Sequence, residues 1–316
     1  MLSARTTLAL ACTCMICAAV AGCGAAANDS KPVVVATTTQ LGDFARAVGG
    51  DEVSVHQILR PNTDPHEYEP RPEDIQATAN AKVVLESGDN LDSWMREIVG
   101  QAGGHPTVVT AGDAASSHVA GETSGPEASK YDPHWWHDPI NAIAAVDRIR
   151  DALSAALPSS KSAFAHNAAS YVKKLRTLDA GIRACFAPVP VADRKLVTSH
   201  DAFNYFAKRY DVEVVGAIIP SQTTEAQPSA GDVARLAKQV GREHVHAIFL
   251  ESSVNPKLAR AVARETHTLG NLTLYGDTLG PTGSPGATYL GMEQANADAM
   301  VRGFTGGQRG CKIAGL

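Results

Sequence analysis

Three histidines and one aspartate have the residue types and the setting to hold a divalent cation. His66 lies in RPNTDPHEYEP, a proline-framed loop directly after an expected strand, and His134 lies in DPHWWHDP, proline-framed again and just before a helix. His200 follows the expected strand Lys195–Ser199 and opens a helix; Asp277 follows the last expected strand in LTLYGDTLG. In parallel α/β sheets ligands bind beyond the carboxyl ends of the strands, so strand-end residues from two halves of a chain can face one cleft. Three neutral imidazoles and a carboxylate can surround a divalent ion tetrahedrally at about 2.0–2.2 Å. Taken singly, each residue reads equally well as a helix cap or a satisfied turn; four at matching places read as a site. His56, His105, His118, His166, His244, His246 and His267 have no local context that converts into chemistry.

The elements that must position these side chains are legible as alternating β-branched runs and helical patterns. Strands are expected at Val33–Thr37, Val53–Leu59, Lys82–Glu86 and Thr107–Ala111, with helices around Leu41–Val48, Arg71–Asn80 and Leu91–Val99. The second half repeats the pattern, with strands at Lys195–Ser199, Glu213–Ala217, Ala247–Glu251 and Leu272–Tyr275 and helices at Ala202–Tyr210, Ala230–Val240, Pro256–Thr268 and Gln294–Phe304. Strand followed by helix implies an α/β fold of two lobes, each a mainly parallel four-stranded sheet flanked by helices. Between them Ser160–Ala187 contains no proline and carries Phe164, Ala168, Tyr171, Val172, Leu175, Leu178 and Ile182 at helical intervals. One long rigid helix of roughly 40 Å is expected there. The expected boundaries are an N-terminal lobe over 32–158, the connecting helix over 159–187 and a C-terminal lobe over 188–316. Gly112–Lys130 has no period and reads as a long surface loop.

The chain has 316 residues, 44% of them apolar, so it folds rather than staying disordered. Twenty-eight Lys and Arg against 33 Asp and Glu give a net charge of −5, which offers nothing to a nucleic acid. Residues 1–22 carry one early cation, Arg5, then an apolar run from Leu8 to Val20 and small residues, the layout of a secretory signal peptide. No later run is long enough to span a membrane. Val20-Ala21-Gly22-Cys23 resembles the lipobox of bacterial lipoproteins, which implies acylation of Cys23 and a polar tether over 23–31. Lipid on Cys23 would hold the protein on a membrane surface. Of six cysteines, Cys12, Cys14 and Cys17 leave with the signal. Cys185 and Cys311 remain as an even pair in an oxidising compartment, where a disulfide between them is expected.

The segments RPNTDPHEYEPRPEDI, DPHWWHDP, VTSHDAFNYFAKRY, TEAQPSAGDVARLA, IFLESSVNPK and LYGDTLGPTGSPGATYLGMEQAN together resemble the metal-binding cluster A-I family of ABC-transporter solute-binding lipoproteins. The resemblance implies two (β/α) lobes joined by one long helix, with the metal in the interlobe cleft on His66, His134, His200 and Asp277. It further implies an ABC permease and its ATPase as partners, action as a monomer, and a place on the outer face of the bacterial cytoplasmic membrane. His200 makes the donor set imidazole-rich, which suits Zn2+, whereas an oxygen-richer set suits Mn2+. The alternatives are a manganese-binding protein of the same transporter class, a surface adhesin and a zinc hydrolase. Against the last, four protein ligands leave no open position for a water, so no enzyme is expected.

Two departures from the family pattern bear on the site. Gly112–Lys130 holds only His118, Asp113, Glu122 and Glu127 where zinc-specific relatives often crowd histidines, so a metal-scavenging role for it is not expected. His137 stands where the family usually has an apolar residue, and is a candidate alternative ligand, outer partner or packing histidine. Glu251 is a candidate outer partner of a ligand, and Trp135 and Trp136 are expected to shield the site from water.

Overall fold

The computed structural model describes residues 31–125 and 127–316. The signal segment 1–22 and Cys23 lie outside the described residues. Four strands open the described chain: β1 (Val33–Ala36), β2 (Ser54–Gln57), β3 (Ala81–Glu86) and β4 (Thr107–Thr110). They form one fully parallel sheet in the order β2-β1-β3-β4. The central strands are apolar on both faces, with Val34, Val35, Val83, Val84 and Leu85 all buried, as a sheet covered on both sides requires. Helix α1 (Thr39–Gly49) starts at once after β1, where the Thr38 hydroxyl accepts from Leu41 N–H and caps it. Its Leu41, Phe44, Ala45 and Val48 face the core. Helices α2 (Pro72–Ala79) and α3 (Met95–Ala102) complete the crossovers.

Helix α4 (Pro139–Ala156) follows a single 3₁₀ turn over Trp135–His137. Its start is written in the sequence: Pro139 occupies the first turn and the Asp138 carboxylate accepts from Ile140 N–H. Helix α5 (Lys161–Phe186) is the long connector. Phe164, Ala168, Tyr171, Leu175, Leu178, Ile182 and Phe186 form its buried stripe, spaced by three or four residues. It packs against α1, α4 and the last helix α9 (Tyr289–Phe304). The stripe therefore belongs to both halves at once.

The second half contains β5 (Lys195–Thr198), α6 (Asn204–Tyr210), β6 (Glu213–Ala217), α7 (Ala230–Arg242), β7 (Leu250–Glu251), α8 (Lys257–Glu265) and β8 (Thr273–Leu274) before α9. Its strands pair as β5-β6 and β7-β8, both parallel. The pairs are tied together where Phe249 N–H donates to Val197 O at 2.8 Å, giving the run β6-β5-β7-β8. The third strand is regular over two residues rather than the expected five. Ile248 N–H reaches Leu269 O while Leu250 N–H reaches Leu272 O, so two steps on one side face three on the other. That bulge at Gly270–Asn271 interrupts the ladder.

One continuous apolar cluster runs from Val34 in β1 to Ile313 in the C-terminal tail and includes the stripe of α5. Lys31–Leu316 is accordingly one compact unit, and its halves are lobes of a single body. Cys185 near the end of α5 and Cys311 in the tail form a disulfide, Cα to Cα 5.4 Å apart. No helix among the described residues is long and apolar enough to cross a membrane.

Candidate metal centre

The four side chains singled out by the sequence converge. One ring nitrogen from each of His66, His134 and His200 and one oxygen of Asp277 all lie within 4.8 Å of one another, and all four residues are buried. His134 Nε2 is 3.3 Å from His200 Nε2 and 3.3 Å from Asp277 Oδ1, and His200 Nε2 is 3.5 Å from the same oxygen. Bonds of about 2.05 Å in tetrahedral directions put donors about 3.3–3.4 Å apart. His134, His200 and Asp277 have the spacing of a first-row divalent ion's donor shell. His66 Nε2 is buried without a hydrogen-bond partner, and such a lone pair calls for a ligand.

Each side chain arrives there for a local reason. After β2, Ile58 and Leu59 continue the pairing with Ala36 O and Thr37 O. The chain then turns at Arg60–Thr63, with Asn62 in the left-handed region that asparagine tolerates. The Asp64 carboxylate accepts from His66 N–H at 3.0 Å and closes the turn. Asn62 N–H donates to Thr278 Oγ1 of the other half, beside Asp277. Asp132 organises His134 through both its backbone N–H, at 2.9 Å, and its Nδ1, at 2.8 Å. The second oxygen of Asp132 accepts from Asn204 and Gln222 of the second half.

His200 sits two residues past β5, where its N–H donates to Glu251 Oε1 and its Nδ1 lies 2.8 Å from Glu251 Oε2. Gly276, just before Asp277, leaves the room this carboxylate needs, since a Cβ there would stand 2.5 Å from Glu251 Oε2. Gln40 of α1 donates to Asp277 O at 2.9 Å and fixes Asp277 from across the cleft.

All three imidazoles thus present Nε2 to the centre and a carboxylate to Nδ1: Glu127 for His66 at 2.5 Å, Asp132 for His134 and Glu251 for His200. A carboxylate on the outer nitrogen fixes the tautomer with the inner lone pair free. The same groups set the protonation of the metal-free protein. Burial disfavours the His134 imidazolium, but Asp132 and Asp277 outweigh it and lift the pKa to about 9. His200 is likewise raised against burial by Asp277 and Glu251. Against its own burial, Asp277 is held well below the usual carboxylate range by the charges on His200 and His134.

Of the expected outer residues, Glu251 is in place. Trp136 lies edge-on to His134 at 5.4 Å between ring centroids and donates to Gly276 O, walling off one side of the centre. Trp135 instead donates to Ser87 Oγ. His137 is neither ligand nor outer partner: its Nδ1 engages Glu293 of α9 at 2.8 Å and its ring stacks on Phe203. This buried pair joins the halves below the centre. His118 stacks on Tyr131, away from the four ligands.

Two residues with a direct bearing on the site escaped the sequence reading. Asp132 had a signal, an aspartate two residues before a histidine with proline between, which favours an Asx turn. Glu127 had none, because it meets His66 across 61 residues of sequence.

The chain is similar to several metal-binding proteins. It is 33% identical over 294 residues to the manganese-binding lipoprotein MntA of Bacillus subtilis, covering 90% of this chain and 94% of that one. It is 30% identical over 281 residues to the zinc-binding protein TroA of Treponema pallidum, covering 87% and 90%. The solved structure of the periplasmic zinc-binding TroA superposes with a TM-score of 0.78 over 87% of this chain and 99% of that one, at 28% identity. Residues 34–303 match the family described as ZnuA, zinc-uptake complex component A, periplasmic, and the chain belongs to that family of solute-binding components, which are not enzymes.

Proposed function

We propose that this protein captures Zn2+ outside the cytoplasm and passes it to the permease and ATPase of an ABC metal importer. Nε2 of His66, His134 and His200 and a carboxylate oxygen of Asp277 are the ligands. The observation that carries this reading is the donor set itself: three buried imidazole nitrogens and one carboxylate within 4.8 Å of one another, with His134, His200 and Asp277 spaced 3.3–3.5 Å apart as on three corners of a tetrahedron. Imidazole-rich four-coordinate sites suit zinc, whereas manganese favours more oxygen and higher coordination. With four protein ligands the site binds cargo and does not activate water. Signal, lipidated Cys23 and polar tether together support anchoring to the outer face of the cytoplasmic membrane, where the protein would act as a monomer.

Manganese is the second reading, favoured by the resemblance to MntA. Elemental analysis of the purified mature protein, followed by competition of zinc against manganese, separates the two. Zinc at one equivalent and not displaced by excess manganese is expected; preferential retention of manganese overturns the assignment. His200→Ala should abolish stoichiometric binding. Ester or peptide cleavage lost in that variant would instead argue for a hydrolase, and adhesion that survives loss of all four ligands for an adhesin.

A further inference from the structure

The three carboxylates behind the imidazoles are not built alike. Asp132 and Glu251 are buried and locked, each bound also to the backbone N–H of the histidine it serves. Glu127 is partly exposed and comes from the surface segment after β4. That segment is an irregular hairpin: Ala120 bridges Tyr131, Gly121 N–H donates to Lys130 O, and Ser129 N–H donates to Glu122 O. One side is pinned to the second half, because the Glu122 carboxylate accepts from Ser221 Oγ and Gln222 N–H, both at 2.9 Å. On the other side, Asn90 of the first half donates to Ala128 O.

His66 depends on this arm more than the other ligands do on theirs. It lies in an irregular loop, and Glu127 is the only hydrogen-bond partner of its ring among the described residues. Without an acceptor at Nδ1, a neutral imidazole is free to place its proton on Nε2, which blocks the lone pair a metal needs. Outer partners of this kind typically contribute about 10–100-fold in metal affinity.

We propose that Glu127 is a positioning residue for metal binding: it holds the His66 proton on Nδ1, and the Glu122 anchor on Ser221 and Gln222 keeps it there. The hairpin's carboxylates thus serve retention of the ion rather than its capture. This rests on His66 being a ligand.

The test uses the mature chain with Glu127→Ala, Glu127→Gln and Glu122→Ala, loaded with zinc. Rates of zinc transfer to a chromophoric chelator and equilibrium competition are measured. The His66 tautomer is read in the metal-free protein from nitrogen-15 shifts of labelled histidine. Glu127→Ala should weaken binding about 10–100-fold, mainly through faster transfer, and move the His66 proton toward Nε2. Glu127→Gln, which keeps an acceptor oxygen, should recover part of both effects. Glu122→Ala should speed transfer by a smaller factor. Wild-type affinity, transfer rate and tautomer in Glu127→Ala, in a protein that binds one zinc, overturn the proposal alone. Failure of the wild type to bind zinc, or full binding by His66→Ala, overturns the ligand assignment beneath it.

Discussion

Protons and metal compete for the same nitrogens, and the geometry makes the exchange countable. At pH 7 in the metal-free protein, burial works against the imidazolium of His134, but Asp132 and Asp277 raise its pKa to about 9. His200 is raised too, by Asp277 and Glu251, while Asp277 is already ionised. A metal binding to both nitrogens must displace about two protons. Two protons mean an affinity that rises about 100-fold per pH unit, or about 3 kcal/mol, wherever both imidazoles are still protonated.

The stability of the metal-free protein runs the other way. The folded pKa of His134 exceeds its unfolded value, so its contribution is fully present below about pH 6.5 and is lost as pH rises through about 9. The difference is worth about 3 kcal/mol. Calorimetric titration of zinc into metal-free protein, in buffers of different protonation enthalpy, counts the protons directly. Urea unfolding of the metal-free protein between pH 6.5 and 9 reads the second trend. Fewer than one proton released at pH 7, or a metal-free stability that stays flat or climbs over that window, would refute the reasoning.

Asp132→Ala removes the acceptor of both His134 N–H groups. It should weaken zinc binding about 10–100-fold in a competition titration, with the fold intact by circular dichroism. Cys185→Ser with Cys311→Ser opens a closure of 126 residues. It should lower unfolding stability by about 5 kcal/mol in the chain-entropy model, while one zinc still binds. His137→Leu leaves Glu293 buried opposite no partner and should cost about 3–5 kcal/mol. Adding Glu293→Leu should recover most of that loss, and strictly additive losses in the double variant would show that the pair is not coupled.

How legible this was in the sequence depended on whether a feature is local. The convergence of His66, His134, His200 and Asp277 was readable because each sits just past a strand or in a proline-framed turn, and the parallel α/β rule sends such places to one cleft. The stripe from Phe164 to Ile182 was readable because the helical period is local to the sequence. The bulge that cuts β7 short was not, since Ala247–Glu251 is apolar enough for five residues and the irregularity lies in its partner at Gly270–Asn271. His137 stayed open between ligand, outer partner and packing for a related reason: the residue that claims it for packing, Glu293, lies 156 positions away. Glu127 was lost the same way, in a segment whose composition announced only a surface loop.

These long-range contacts also decide which parts of the frame can yield. The stripe of α5 packs on α1, α4 and α9 within one cluster that spans both halves. Parting the halves would expose several side chains worth about 1.5–3 kcal/mol each, and would strip His137 from Glu293 in the interior. The contacts above the ligands are of another kind. Asn62 on Thr278, Glu127 on His66 and Glu122 on Ser221 and Gln222 are single polar bonds at or near the surface, each worth about 0.5–3 kcal/mol net. Asp277, by contrast, is held from α1 through Gln40, and His200 from β7 through Glu251. The ligand shell is therefore stiff on the side of His134, His200 and Asp277 and compliant on the side of His66. In energetic terms, shifting the His66 loop and the hairpin over it costs less than swinging the lobes apart.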